Sequence, residues 1–176
     1  MNEGRCEKQS PIPMTDSVSS PPQSSVRPAT SDDLDRLTAV EARVHPAPWT
    51  RENFETEFEK PYSTTWVLTD DETDTEIQAY CVFWAMDDSL EILNIAVDLP
   101  YRGLGFAKLM LQHIVRDGLK RGAKHLILDV RKSNLPAVGL YQRAGFAITQ
   151  FRKSFYTNGE DAYHMSLELD AARIDF

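Results

Sequence analysis

The chain has 176 residues, which suits a single domain with a buried core. Its formal charge of −8, from 19 basic and 27 acidic residues, argues against binding to phosphate backbones, so we predict no nucleic-acid partner. No apolar run approaches the ~18–20 residues that cross a bilayer, and the first residues hold no apolar stretch typical of a secretory signal. We therefore expect no membrane partner and a cytoplasmic location, and the two cysteines, Cys6 and Cys81, predict no disulfide framework.

Composition divides the chain into a tail, a domain and a short end. Residues 1–26 are rich in Ser, Pro and Gln and are predicted to be a disordered tail. Residues 27–170 form the predicted domain, and residues 171–176 form a C-terminal tail.

Two helices are predicted at the start of the domain. Thr30 or Ser31 caps the first helix, and Pro46 and Pro48 end it. Its apolar residues share one face: Leu34, Leu37, Val40 and Val44. Thr50 is predicted to cap a second, short helix.

The remaining pattern alternates strands with helices. Apolar and β-branched runs predict strands at 63–69, 76–86, 90–98, 125–130, 146–156 and 162–169. One helix is predicted from Phe106 to about Arg121, with Gly122 as its C-cap. Another covers 133–145, with Ser133 as its N-cap. This order predicts a mixed α/β (α+β) domain whose helices pack on a central sheet.

The turn before the 106–121 helix has the pattern R-x-x-G-x-A, formed by Arg102, Gly105 and Ala107. A helix N-terminus exposes unpaired N–H groups with partial positive charge, and small residues allow a pyrophosphate to reach them. The pattern is not a P-loop, because no Lys-Ser or Lys-Thr pair opens the helix. Nor is it the dinucleotide fingerprint, because Lys108 fills the third glycine position. The turn by itself indicates either a phosphate-bearing cofactor or simply a tight turn.

Three segments together carry a family resemblance: NIAVD, YRGLGFAKLM and LDVRKSNLPAVGLYQRAGF. They resemble the Gcn5-related N-acetyltransferases (GNAT), over about residues 27–169. In that family a block N-x-x-A-x-x-L-Y-x-x-x-G-F follows the glycine turn. Here it consists of Asn134, Ala137, Leu140, Tyr141, Gly145 and Phe146. The resemblance implies a mixed central sheet with a splayed strand pair and helices on both faces. It also implies acetyl-CoA as co-substrate and no metal.

Two further blocks resemble the RimI-type ribosomal-protein-alanine N-acetyltransferases. They are VEARVHPAPWTRENF, early in the domain, and RKSFYTNGEDAYHM, near its end, where Phe155 replaces the first tyrosine of an R-x-x-Y-Y signature. The resemblance implies transfer of acetyl to the α-amine of an N-terminal alanine, expected in small-subunit ribosomal protein eighteen. The implied partners are acetyl-CoA and the N-terminal segment of a ribosomal protein.

The resemblance also implies a set of cofactor-binding residues. The backbone of Ile95, Ala96 and Val97 is expected to polarise the acetyl carbonyl from the splayed strand. Asn134 matches a residue that contacts the cofactor, although an Asn that opens a helix is equally suited to capping it. The pyrophosphate is expected at Arg102, Gly103, Leu104, Gly105, Phe106, Ala107 and Lys108.

Two catalytic residues are implied as well. Tyr141 matches the family's general acid, which protonates the departing thiolate; the alternative is a tyrosine packed in the core. Asp129 stands where RimI-type enzymes usually carry glutamate as general base, and the loss of one methylene shortens its reach by about 1.5 Å. A water bridges such a gap, and an α-amine, with a reference pKa of about 8, asks less of a base than a lysine does. The alternative for Asp129 is a strand-end carboxylate that caps a loop.

For several other residues, and for the function as a whole, the sequence leaves alternative interpretations open. Trp49 lines a peptide groove or packs on its prolines, and Glu160 and Asp161 face a basic peptide or end a hairpin. Cys81 is predicted to be packed rather than nucleophilic. The four histidines lack metal-ligand spacing: His45, His113, His125 and His164. Two other functions remain open, a GNAT enzyme for a small amine or protein lysine, and a non-catalytic acetyl-CoA-binding module.

Overall fold

A computed structural model describes residues 24–70 and 74–170. These residues form seven strands: β1 Ser24–Pro28, β2 Ser63–Asp70, β3 Ile77–Met86, β4 Ser89–Val97, β5 His125–Arg131, β6 Ala147–Arg152 and β7 Ala162–Glu168. They also form four α-helices: α1 Leu34–Val44, α2 Arg51–Glu59, α3 Phe106–Arg121 and α4 Leu135–Arg143. Short 3₁₀ turns at Ser31–Asp33 and Leu99–Tyr101 lead into α1 and toward α3.

The helices begin and end close to the predicted residues. Thr50 caps α2 as predicted, since its hydroxyl accepts from the Asn53 N–H while the Asn53 side chain accepts from the Thr50 N–H. Gly122 follows α3 in the left-handed conformation, which confirms it as the C-cap. The predicted cap at Ser133 is wrong: Asn134 caps α4, its Oδ1 accepting from the Ala137 N–H at 3.3 Å.

One strand was missed and one was predicted too long. Ser24 to Val26, assigned above to the tail, belong to β1, which pairs antiparallel with β2. This segment is short and polar and ends at Pro28, so its own residues do not indicate a strand. It becomes a strand because it pairs with the edge of β2. The strand predicted over 146–156 ends at Arg152, where the chain turns toward β7. Residues 1–23 and 171–176, predicted to be tails, lie outside the described residues.

The sheet has the order β1-β2-β3-β4-β5-β7-β6, and β4 and β5 are its one parallel pair among the described strands. That pairing covers only Ser89–Ile92 against His125–Leu128. At this point β4 shifts register against β3, where Val82 faces Asn94 while Phe83 faces Ile92, so Leu93 is an extra residue. Beyond the bulge β4 stays with β3 and β5 stays with β7. The two parallel strands therefore diverge in the middle of the sheet.

Helices cover both faces of this sheet. On one face, α3 and α4 pack on the large core that includes Cys81, Leu128 and Val130. On the other face, α1 and α2 pack on a smaller core around Phe54 and Tyr80. Cys81 is fully buried in β3, which confirms its packed role, and burial raises the pKa of its thiol.

Candidate active site

A cavity of about 180 Å³ opens where β4 and β5 diverge. Its walls come from the ends of both strands, from α1 and the α1–α2 loop, from α4, and from the β6–β7 loop. Four of the predicted site residues line it: Ile95, Asp129, Asn134 and Tyr141. Trp49 lines it too, which agrees with the groove interpretation, and its ring also packs on Phe54 at 5.4 Å between centroids.

Tyr141 and Asp129 approach the cavity from opposite faces of the sheet. Tyr141 lies on α4 and is buried with Leu128 and Val130 in the core under α3 and α4. Asp129 lies between those two residues in β5, so its side chain points to the opposite face. The predicted acid and the predicted base are therefore separated by the gap between the strands.

Burial shapes the chemistry of Tyr141. It raises the pKa of the hydroxyl well above its ordinary value, so the phenol stays protonated at neutral pH. A protonated phenol offers a hydrogen-bond donor to negative charge that develops in the cavity. The alternative of core packing also holds, because the ring is 5% exposed and lies 5.5 Å from the ring of Phe146.

Asp129 is held from two strands on its own face. Its Oδ1 lies 3.1 Å from Nδ1 of His164, the residue directly opposite on β7. Its Oδ2 lies 3.1 Å from the guanidinium of Arg152 on β6. The charge of this carboxylate is thus balanced by a cation, and its position is determined by its neighbours in the sheet.

A second carboxylate in the cavity wall was not among the predicted residues. Glu41 lies on α1, and its side chain is 1% exposed. It accepts hydrogen bonds from the Trp49 N–H at 2.9 Å, from Asn94 Nδ2 at 3.2 Å and from the Tyr80 hydroxyl. The sequence did carry a signal, because Glu41 falls at a helical interval from Leu37 on the apolar face of α1.

The β6–β7 loop closes the cavity and was also missed. Tyr156 lines it, donates a hydrogen bond to the backbone oxygen of Asp129 at 3.3 Å, and lies beneath the guanidinium of Arg131. Burial is the main reason why the pKa of Tyr156 is raised. Arg131 also pairs with Glu160, which accepts a hydrogen bond from the Ser133 hydroxyl. These contacts from Ser133 and Arg131 lower the pKa of Glu160 to about 2.

This arrangement decides between the interpretations of the loop's acidic residues. Glu160 is bound within the loop, and Asp161 accepts from the Ser154 N–H at 3.0 Å. Both carboxylates therefore stabilise the hairpin end, as the structural interpretation predicted.

The glycine turn lies apart from the cavity lining, at the start of α3. Gly103 and Gly105 have φ of +81° and +85°, a conformation that L side chains rarely adopt. A Cβ built on either glycine meets no described atom within 4 Å, so the space above the turn is open. The first helical hydrogen bond runs from the Leu109 N–H to the Gly105 oxygen, which leaves the N–H groups of Phe106, Ala107 and Lys108 outside the helix ladder. This open, donor-rich turn fits a pyrophosphate.

The other predicted cofactor residues surround that turn. Arg102 is exposed, and its Nε donates to the Val97 oxygen at 3.3 Å. Ala96 is buried against α1, so only its backbone faces the divergence. Leu104 is 61% exposed beside the glycines.

A family model described as the Acetyltransferase (GNAT) family matches residues 34–146, which include the glycine turn, Asp129 and Tyr141. The chain belongs to the GNAT acetyltransferase family. A Bacillus subtilis protein named provisionally as a ribosomal protein bS18-alanine N-acetyltransferase is 36% identical over 145 residues, 81% of this chain and 94% of that protein. The Escherichia coli ribosomal protein bS18-alanine N-acetyltransferase is 32% identical over 140 residues, 78% of this chain and 92% of that enzyme.

Solved GNAT structures share the fold. The crystal structure of the Escherichia coli ribosomal-protein-S18-alanine N-acetyltransferase superposes with a TM-score of 0.77 at 29% identity, covering 84% of this chain and 95% of that one. NAA60 from Arabidopsis thaliana, crystallised with acetyl-CoA, superposes with a TM-score of 0.75 at 22% identity over 84% of this chain and 99% of that one, which shows the fold alone. The predicted GNAT fold and the RimI-type resemblance are confirmed.

Two features are absent from the residues that the structure describes. None of their helices is both long and apolar enough to cross a bilayer. No three or more of their His, Cys, Asp and Glu side chains gather as metal ligands.

Proposed function

We propose that this GNAT protein transfers acetyl from acetyl-CoA to the α-amine of an N-terminal alanine, with ribosomal protein bS18 as its substrate. The observation that carries the proposal is the similarity to bS18-alanine acetyltransferases, which spans 94% and 92% of the two relatives. A similarity of that extent includes Glu41, the glycine turn and Asp129. We further propose that the protein works in the cytoplasm and needs neither a metal nor a nucleic acid.

Acetyl-CoA is assigned to the side of the sheet that carries α3 and α4. The glycine turn offers the N–H groups of Phe106 to Lys108 to the pyrophosphate, and Arg102 adds a positive charge beside them. Asn134 lines the cavity while it caps α4, so both of its interpretations hold in this assignment. The backbone of Ile95, Ala96 and Val97 has no partner strand on the β5 side, and its N–H groups are assigned to the acetyl carbonyl.

The acceptor amine is assigned to the opposite side, near Asp129. An α-ammonium has a reference pKa near 8 and must lose one proton before it attacks, and Asp129 is the assigned acceptor of that proton, directly or through a water. The contacts of Asp129 with His164 and Arg152 hold the carboxylate in place. An α-ammonium, with a reference pKa near 8, gives up its proton more readily than a lysine ammonium, with a reference pKa near 10.4, so a carboxylate acceptor suits an α-amine better than a lysine.

Tyr141 is assigned to the departing sulfur. Its hydroxyl has a pKa raised by burial, so complete proton transfer to a thiolate, whose parent thiol has a pKa near 8.5, is unfavourable. Donation of a hydrogen bond to the developing thiolate requires no such transfer and stabilises the charge where it forms. We therefore assign Tyr141 as a hydrogen-bond donor to the leaving group.

Two synthetic peptides test the proposal. The purified protein, acetyl-CoA and a peptide that begins with the N-terminal sequence of bS18 are incubated, and the acetylated position is read by mass spectrometry. The matched control has the same sequence with a formylated N-terminus and an internal lysine. We expect acetylation of the free α-amine and none of the control. Modification of the lysine would support the lysine acetyltransferase instead, and absence of any product would contradict the proposal.

A further inference from the structure

The α1 helix places a carboxylate in the cavity that the assignments above do not use. Glu41 is as deeply buried as the core, yet it forms part of the cavity wall beside the end of β4. Its Oε1 accepts from two neutral donors, the Trp49 N–H and the Asn94 amide, and its Oε2 accepts from the Tyr80 hydroxyl. The carboxylate therefore has a fixed position between the α1–α2 loop and the divergent strand.

Among the described residues, Glu41 lacks the lysine or arginine partner that the other carboxylates of the site have. Among the residues that the structure describes, no lysine or arginine lies within 4.0 Å of it, whereas Asp129 has Arg152 and Glu160 has Arg131. Among the described residues, the one neighbour within 4.0 Å that can carry a positive charge is His45, whose Nε2 lies 3.4 Å from Oε2 and makes no hydrogen bond there. A buried carboxylate without a cation is costly, because hydrogen bonds from neutral groups compensate only part of its lost hydration.

A cation supplied by the substrate removes that cost. The acceptor of the proposed reaction arrives as an α-ammonium, since its reference pKa lies near 8. The cavity assigned to the reacting amine is lined by Glu41 and His45, and no lysine or arginine among the described residues lies within 4.0 Å of Glu41. Electrostatic complementarity therefore favours a primary ammonium in front of Glu41 over a neutral amide at the same place.

We propose that Glu41 is the residue that binds the α-ammonium of the acceptor and distinguishes a free N-terminus from a blocked one. This inference rests on the proposed function. Glu41 binds the cation and Asp129 receives the proton, so the two carboxylates have separate tasks. The hydrogen bonds of Glu41 to the Trp49 backbone and to Asn94 couple that charge to the acceptor loop and to the strand that faces the acetyl group.

The affinities of two ligands, compared in the same protein, distinguish this binding role of Glu41 from a structural role. The probes are the alanine-initiated peptide and its des-amino analogue, in which propionyl replaces alanine, and both are titrated calorimetrically at pH 6.5 in the presence of CoA. We expect the wild type to bind the amine peptide about tenfold more tightly than the analogue, the effect of one charge-assisted contact. In Glu41→Gln, which keeps the size of the side chain and one acceptor oxygen but removes the charge, that ratio should fall to about 1.

Two further variants distinguish charge from architecture. Tyr80→Phe removes a hydrogen bond of Glu41 but keeps its charge, so the tenfold ratio should remain. Asp129→Asn should lower turnover and keep the ratio as well. A ratio that survives in Glu41→Gln, or one that is lost in Asp129→Asn alone, would overturn the inference while leaving the proposed function in place, provided that the wild type acetylates the peptide. A wild type that neither binds nor acetylates the peptide would overturn both.

A wild-type crystal structure with CoA and the peptide keeps the test independent of variant folding. We expect the α-nitrogen within about 5 Å of a Glu41 carboxylate oxygen, the range in which opposite charges act strongly. An α-nitrogen that lies beside Asp129 and remote from Glu41 would overturn the inference.

Discussion

The two sides of the diverging strands differ in how the chain builds them. The side assigned to acetyl-CoA comes largely from one continuous segment, in which β4, the glycine turn and the start of α3 follow each other within Asn94–Lys108. The side assigned to the acceptor comes from residues far apart in sequence, since Glu41, Asp129 and Tyr156 lie on α1, β5 and the β6–β7 loop. A segment that forms its own binding geometry tolerates changes elsewhere in the chain, whereas an assembled wall depends on every element that contributes to it.

The largest effect is expected on the cofactor side, at the turn itself. Gly105→Val places a branched side chain into the open space over the N–H groups of α3, so affinity for acetyl-CoA should fall by roughly 100-fold or more. Calorimetric titration with acetyl-CoA measures this loss, and circular dichroism verifies the fold.

Gly122→Val is the matched control for that substitution. Gly122 also has a positive φ, of +77°, and an ideal Cβ there meets nothing within 4 Å, but it lies at the opposite end of α3. Both variants carry a similar backbone strain of about 1–2 kcal/mol. Equal affinity for acetyl-CoA in the two variants would contradict the assignment of the turn.

The next largest effect is expected for a substitution of Tyr141, the residue assigned to the departing sulfur. Tyr141→Phe removes the hydroxyl and keeps the packing of the ring, so kcat should fall by roughly 10²–10³-fold, the usual cost of one donor to a developing negative charge. Affinity for acetyl-CoA should change little, because the turn is untouched. Steady-state kinetics with varied acetyl-CoA and peptide separate the two effects.

Tyr163→Phe provides the comparison for Tyr141. Tyr163 is half-buried on β7 and packs against Phe151 outside the cavity lining. Its variant should retain wild-type turnover. Wild-type turnover in Tyr141→Phe would instead assign Tyr141 to the core alone.

The smallest effect concerns the stability of the acceptor side, at the start of α1. Burial would raise the pKa of Asp33, but the guanidinium groups of Arg27 and Arg36 and the Thr30 N–H lower it to about 2, against an ordinary value of 3.8. Because the folded pKa is depressed, this carboxylate stabilises the fold fully above about pH 4, and its contribution is lost as the pH falls toward 2. The lost contribution is about 2 kcal/mol in the free energy of unfolding.

Urea unfolding at pH 4, 3 and 2 measures that contribution. Asp33→Asn should show a pH dependence smaller by about 2 kcal/mol over this range, while its affinity for acetyl-CoA at pH 7 stays at the wild-type value. A variant with the same pH dependence as the wild type would show that Asp33 does not contribute through its charge.

The features predicted correctly from the sequence are mostly formed by adjacent residues, and the features that were missed depend on residues far apart in the chain. The strands from β2 to β5, the limits of α3 and the glycine turn were predicted correctly, because apolar periodicity, the Thr50 cap and the Gly122 C-cap act within a few residues. Asp129 and Tyr141 were singled out from a family block, and the structure places both at one cavity. β1 was missed, because an edge strand depends on the neighbour it pairs with. Ser133 was wrongly predicted to cap α4, because it is bound instead by Glu160 from another loop, and the cap is Asn134, whose capping interpretation was one of the two left open.

The sequence by itself determined the local elements and the glycine turn, since a helix cap or a positive φ is decided by adjacent residues. Only the tertiary structure decided that Leu93 is a bulge, that β4 and β5 part beyond Ile92, and that Glu41 reaches the resulting cavity. It also decided that Asp129 has a cationic neighbour and that Glu41 has no lysine or arginine within 4.0 Å among the described residues. Charge balance inside a fold depends on which side chains meet across strands and helices, and residues such as Asp129 and Arg152 meet only after the sheet has assembled.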